Sequence, residues 1–153
     1  MENTSGWSAG QVAAAGAAGG AAEVLWIGLV TAVLGMDGWH VARAVTASVL
    51  PASGNWVLAP WVGLAVHFVL SLALAAVFAR TVGRRMRGTA LFAAAIGALG
   101  LVWAFNFFVL LPVLSPAFTA LLPHPATLVS KLLFGAAMAA ALHASTRVPG
   151  KRA

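Results

Sequence analysis

The segment WVGLAVHFVLSLALAAVFARTVGRRMR, residues 61–87, constrains this chain more than any other. As a helix its apolar run is long enough to cross a hydrocarbon core of about 30 Å. It ends in Arg80, Arg84, Arg85 and Arg87. Cations gathered at one end of a span hold that end on the cytoplasmic side, so this segment orients everything around it.

Composition extends the argument to the whole polypeptide. Hydrophobic residues make up 61% of the 153 positions and charged residues 8%, against about 25% charged in an ordinary soluble domain. Such a chain cannot clothe a globule in a wetted surface. Nearly all of it is used in crossing the membrane as one domain, which leaves no room for a soluble catalytic unit.

Four spans follow from length and apolarity, at about residues 12–36, 61–81, 89–111 and 126–146. The expected fold class is all-α, an integral membrane four-helix bundle. The start MENTSGWSAGQ lacks the basic region of a signal peptide, so the first apolar segment is expected to remain as a span. Within it, AAAGAAGGAA places Gly16 and Gly20 four apart, with Glu23 one turn further along the same side. Small residues at this spacing let helices pack closely in lipid.

Residues 37–60 form the first outer segment. Asp37 is placed to cap a short helix, GWHVARAVTASVL, that Pro51 ends. Val41, Val45 and Val49 recur every four residues, so the helix is expected to lie in the interface with Trp39 as its anchor. Trp56 and Trp61 sit where an aromatic belt belongs. The second outer segment, residues 112–125, holds Pro112 and VLSPAFTALLPHP. It is too broken for a spanning helix and unusually apolar for a solvated loop, so it either dips into the membrane or is covered by protein.

The net charge of +6 does not point to nucleic acid, because the cations flank spans. Arg80, Arg84, Arg85, Arg87, Arg147, Lys151 and Arg152 all lie at inner ends, as topology signals and contacts to anionic lipid headgroups do. Both termini are then cytoplasmic and both proline-bearing segments face outward; only Arg43 and Lys131 fall elsewhere. No cysteine is present, which excludes disulfides, thiolate zinc sites and iron–sulfur clusters.

Ionisable groups inside spans are costly and face a bundle interior or a wet cavity. Here they are Glu23, His67 and Lys131, with Asn106 as a polar companion and His143 near the inner end. Helical spacing aligns His67 with Ser71, Ala75 and Ala79, and Lys131 with Gly135 and Ala139. Counted at 1.5 Å per residue, His67, Asn106 and Lys131 each lie about 9 Å inside the outer edge. Glu23 is deeper, about 18–20 Å below Met36, within reach of a lysine stem. The expectation is a polar cluster of Glu23, His67, Asn106 and Lys131 in the outer half of the bundle. Each member also has a plain structural reading. Glu23 and Lys131 would neutralise each other and hold a helix pair in register, Lys131 would otherwise snorkel outward, and His67 would hydrogen-bond between helices.

Cofactor chemistry has one geometric opening. His40, His67 and His124 could share zinc, copper or haem if both outer segments fold inward, although nothing in the spacing calls for it, and no cofactor is expected. His143 lies too far towards the inner side to join them. There is no HExxH, no GxSxG and no phosphate loop after a strand. Ser71, Thr127 and Ser130 are as well suited to bonding their own helix backbone as to nucleophilic work.

The stretch NFFVLLPVLSP, residues 106–116, together with HFVLS in the second span, resembles small four-span proteins of bacterial inner membranes. The resemblance covers mainly the second to fourth spans. It implies a bacterial four-helix inner-membrane protein and carries neither an activity nor site residues with it. Two functions compete. One is an accessory or structural subunit that packs against a larger membrane complex or against copies of itself. The other is an oligomeric transporter or channel for ions, protons or a small solute, using the polar cluster.

Overall fold

A computed structural model describes residues 6–50 and 56–145. Pro51, expected to end the short outer helix, and the basic positions Arg147, Lys151 and Arg152 lie outside the described residues. The chain is all-helical, at 84% helix, with no strand among the described residues. Four helical stretches are long and apolar enough to cross a membrane: Ala9–Val33, Ala59–Arg80, Gly88–Leu114 and His124–Ser145.

Helix α1 spans Ala9–Val33 and starts from a capping box. Ser8 Oγ accepts from the Gln11 N–H at 3.3 Å, and the Ser8 N–H donates to Gln11 Oε1 at 2.8 Å. Two donors that a helix start leaves unpaired are thereby satisfied. At the other end Gly35 adopts φ +66°, open to glycine without steric penalty. The Met36 N–H reaches back to the Thr31 carbonyl at 2.9 Å, closing the helix three residues before the expected end of the span.

Helix α2, His40–Val49, packs on the start of α3, Ala59–Arg80. The contact face includes Ala42 and Thr46, whereas Val49, the last of the valine stripe, is 51% exposed. Thr46 is fully buried and donates to the Ala59 carbonyl at 2.5 Å. Opposite, Gly63 lies so close to the Ala42 carbonyl that no side chain fits between them. Close backbone approach, which only small residues permit, selects this face. Asp37 acts ahead of the helix. Its Oδ1 accepts from the Trp39 N–H at 3.0 Å, and its other oxygen pairs with Arg43.

After α3 a single tight turn, Gly83–Arg85, leads into α4, Gly88–Phe105. The third span does not stay regular. Residues Asn106–Leu110 form a wide π-type turn in which the Leu111 N–H bonds the Asn106 carbonyl. This turn immediately precedes Pro112, whose ring would strike the carbonyl four residues back in a regular helix. Two short helices follow, α5 (Leu111–Leu114) and α6 (Pro116–Thr119). Ser48 Oγ donates to Ser115 Oγ at 3.0 Å, tying α2 to this second outer segment. Among the described residues much of the segment is left uncovered: Val113 is 79% exposed, Phe118 and Leu121 are half-buried, and Leu122 is buried.

The last helix, α7 (His124–Ser145), makes its most extensive pairing with α1; α4 packs on its other side, and α3 packs on α1. The bundle core joins Ala15 of α1, Ala75 and Phe78 of α3, and Leu91, Ala95 and Leu99 of α4. To these α7 adds Phe134, Met138, Ala139 and Leu142. The glycine-rich start of α1 is used inside the molecule. Gly16 abuts the backbone of Leu72, and Gly19 meets the Phe134 ring.

Candidate functional site

Glu23 is carried to the α1–α7 seam by the glycine face below it, which brings the two helices close enough for side chains to meet. Its Oε2 lies 2.7 Å from Lys131 Nζ. The second oxygen accepts from Ser130 Oγ at 3.3 Å, while the same hydroxyl also reaches the Thr127 carbonyl at 2.7 Å. Lys131 Nζ stands 5.7 Å from the centroid of the Phe134 ring, one turn along its own helix. The side chains of Lys131 and Glu23 are 18% and 12% exposed. Charges so far from water are costly unless paired, and here each has its counter-ion plus one further neighbour.

His67 enters from α3. Its Nε2 lies 3.2 Å from the Gly20 carbonyl, one turn before Glu23. A carbonyl can only accept, so this nitrogen carries the proton. Ser71, the next polar residue on that face, turns its hydroxyl to the His67 carbonyl at 2.8 Å. Asn106 is different. It opens the wide turn of the third span, on a helix that packs against α7. Among the described residues no hydrogen bond joins it to Glu23, His67 or Lys131. The four-residue cluster is therefore an ion pair with a serine, a histidine one turn away, and an asparagine apart from them.

The three-histidine arrangement does not form. His124 sits in an aromatic nest between α4 and α7, stacked 6.0 Å from Phe108 and edge-on to Phe107 at 5.4 Å. His67 faces α1, and His40 begins α2, where its N–H donates to the Asp37 carbonyl at 2.9 Å. Among the described residues no group of three or more histidine, aspartate or glutamate side chains is placed to hold a metal ion. His143 packs edge-on against Phe92 at 6.1 Å.

Arg80, Arg84, Arg85 and Arg87 share one place. They line a cavity of about 590 Å³ together with Gly6, Trp7, Ala9, Val12 and Ala79. The guanidinium of Arg87 lies 4.9 Å over the Trp7 ring. Residue spacing does not foresee Trp7, because its partner is 80 positions away. It also misses two indole bonds that fasten the start of α7: Trp103 Nε1 to Thr127 Oγ1 at 3.0 Å, and Trp26 Nε1 to the Ala126 carbonyl at 2.9 Å. No family model, curated protein or solved structure matches the chain.

Proposed function

We propose that this protein is an accessory subunit of a bacterial inner membrane, both termini cytoplasmic and α2 lying in the outer interface, that associates laterally with another membrane protein or with copies of itself. The observation that carries the reading is the outward face of α4. Ala93, Gly97 and Leu101 recur every four residues on that face, and all are exposed. Nothing lies within 4 Å of a Cβ built at Gly97. By contrast Gly16, Gly19, Gly20, Gly63 and Gly135 are each packed against another element. A small-residue pair left open in lipid is what a neighbouring helix uses to approach closely. The exposed Phe105 and Phe108 lengthen that face towards the π turn.

Because the chain has no cysteine, a single Gly97→Cys substitution gives a clean cross-linking handle. Oxidation in native membranes is expected to trap a product at Gly97→Cys, and none at Val69→Cys on the exposed side of α3. Cross-linking at neither position, with a monomer free of companions in mild detergent, would remove the proposal. Transport through the bundle has less support: the ion pair is closed on itself, and the polar groups do not continue along any span.

A further inference from the structure

The arginine cavity calls for more than a topology signal. Four guanidinium groups from the end of α3 and the following turn face one space of about 590 Å³, within the 300–1,000 Å³ range of small-molecule clefts. The chain has three acidic residues. Glu23 is engaged by Lys131 and Asp37 by Arg43, so neither serves this cavity, and Glu2 lies outside the described residues. Among the described residues the four arginines have no ion-pair partner. Arg87 Nη1 donates to the Met86 carbonyl at 2.8 Å and to the Arg84 carbonyl at 3.4 Å.

Two further features favour an anion. The indole N–H of Trp7 is buried and has no acceptor among the described residues. Ala9, the first residue of α1, lines the same cavity, so the positive end of a 25-residue helix borders it. The lining also has an apolar part, from Val12, Ala79 and the Trp7 ring. We infer that this cavity binds a phosphate-bearing anion, with the arginine forks holding the phosphate oxygens and the apolar lining residues in contact with the rest of the ligand. Arginine suits the task because its planar fork meets phosphate with two parallel N–H bonds, which lysine cannot reproduce. The phosphate belongs either to a lipid headgroup, since the site lies at the end of two spans, or to a soluble phosphate compound.

The test uses the full chain in a neutral detergent at low salt, with three probes: phosphatidylglycerol, phosphatidylcholine and inorganic pyrophosphate. Retained lipid is read by native mass spectrometry and pyrophosphate binding by calorimetry. Wild type is expected to hold phosphatidylglycerol, pyrophosphate or both at least about tenfold more tightly than phosphatidylcholine. The Arg84→Lys/Arg85→Lys variant keeps every positive charge, hence the orientation signal, and is expected to lose about tenfold in that binding with an unchanged melting temperature. Phosphatidylglycerol alone would assign a lipid site, pyrophosphate alone a soluble ligand, and competition between them one site serving both. The proposal falls if neither anionic probe is preferred over phosphatidylcholine, or if the double lysine variant binds as wild type does. It falls equally if binding appears only in Glu2→Gln, since the chain's own carboxylate would then be the occupant.

Discussion

At the scale of single residues, the ion pair between α1 and α7 makes a sharp energetic claim. Removing one member of a buried pair leaves a charge without its counter-ion, at a typical cost of about 3–5 kcal/mol. The two halves are not equivalent. Lys131 ends a flexible stem about 9 Å from the outer edge and can redirect its ammonium outward. Glu23 has a shorter side chain, 12% exposed, and cannot follow. Lys131→Met is therefore expected to destabilise more than Glu23→Gln, which falls near or below the bottom of that range. The double variant is expected to lose less than the sum of the two. Melting temperatures of the four proteins in one detergent measure the coupling. Strict additivity would mean that the 2.7 Å contact contributes nothing. Depth and helical face together make this contact legible from residue spacing, because both residues have their faces fixed by glycine and alanine repeats. Only depth places Asn106 beside the pair, and depth does not say which neighbour a helix turns towards. The same limit applies to His40, His67 and His124, whose separation depends on how α2 and the second outer segment sit.

At the scale of elements, the π turn and the α2–α3 contact carry predictions. Pro112→Ala restores an N–H and removes the ring clash, so residues 106–111 are expected to relax into regular helix. Carbonyl-labelled infrared spectra or amide exchange across Asn106–Leu111 would register the change. The α2 contact depends on Gly63 lying against the Ala42 carbonyl. Gly63→Val is expected to lift α2 from α3, raising amide exchange across His40–Val49 while the four spans stay protected. Protection unchanged in α2 would show that Thr46 and the Ser48–Ser115 bond suffice to hold it. The spans themselves are readable in sequence because bilayer thickness sets a length that apolar runs must meet. Their ends are less so: α1 stops at Val33 through a turn centred on Gly35, although apolar residues continue to Met36. The α2 face escapes a hydrophobicity pattern for a related reason. Valines mark where apolar area lies, whereas Ala42 and Thr46 mark where backbones touch.

At the scale of the molecule, the decisive question is which side of the membrane each end occupies, since both the open α4 face and the arginine cavity take their meaning from it. Seven of the nine basic residues flank the side expected to be cytoplasmic, and each arginine carried across a bilayer centre costs about 2.5–3.5 kcal/mol on insertion scales. The four arginines at the α3–α4 turn outnumber the two cations towards the opposite ends of the spans, Arg43 and Lys131, which pair with Asp37 and Glu23. By count of Lys and Arg alone, seven against two, the expected orientation has the arginine turn on the cytoplasmic side. A chain without cysteine allows this to be read directly with single substitutions and a membrane-impermeant thiol reagent on intact cells. Ala117→Cys in α6 and Ser48→Cys in α2 are expected to label from outside, and Val82→Cys beside the arginine turn only after the membrane is opened. Val82 is exposed, so failure to label it in intact cells would reflect its side of the membrane and not its burial. Labelling of Val82→Cys in intact cells would put the arginine cavity on the outer surface. The anion it meets would then come from the outer leaflet or the medium, and the lateral face of α4 would have to be matched to a partner inserted the other way up.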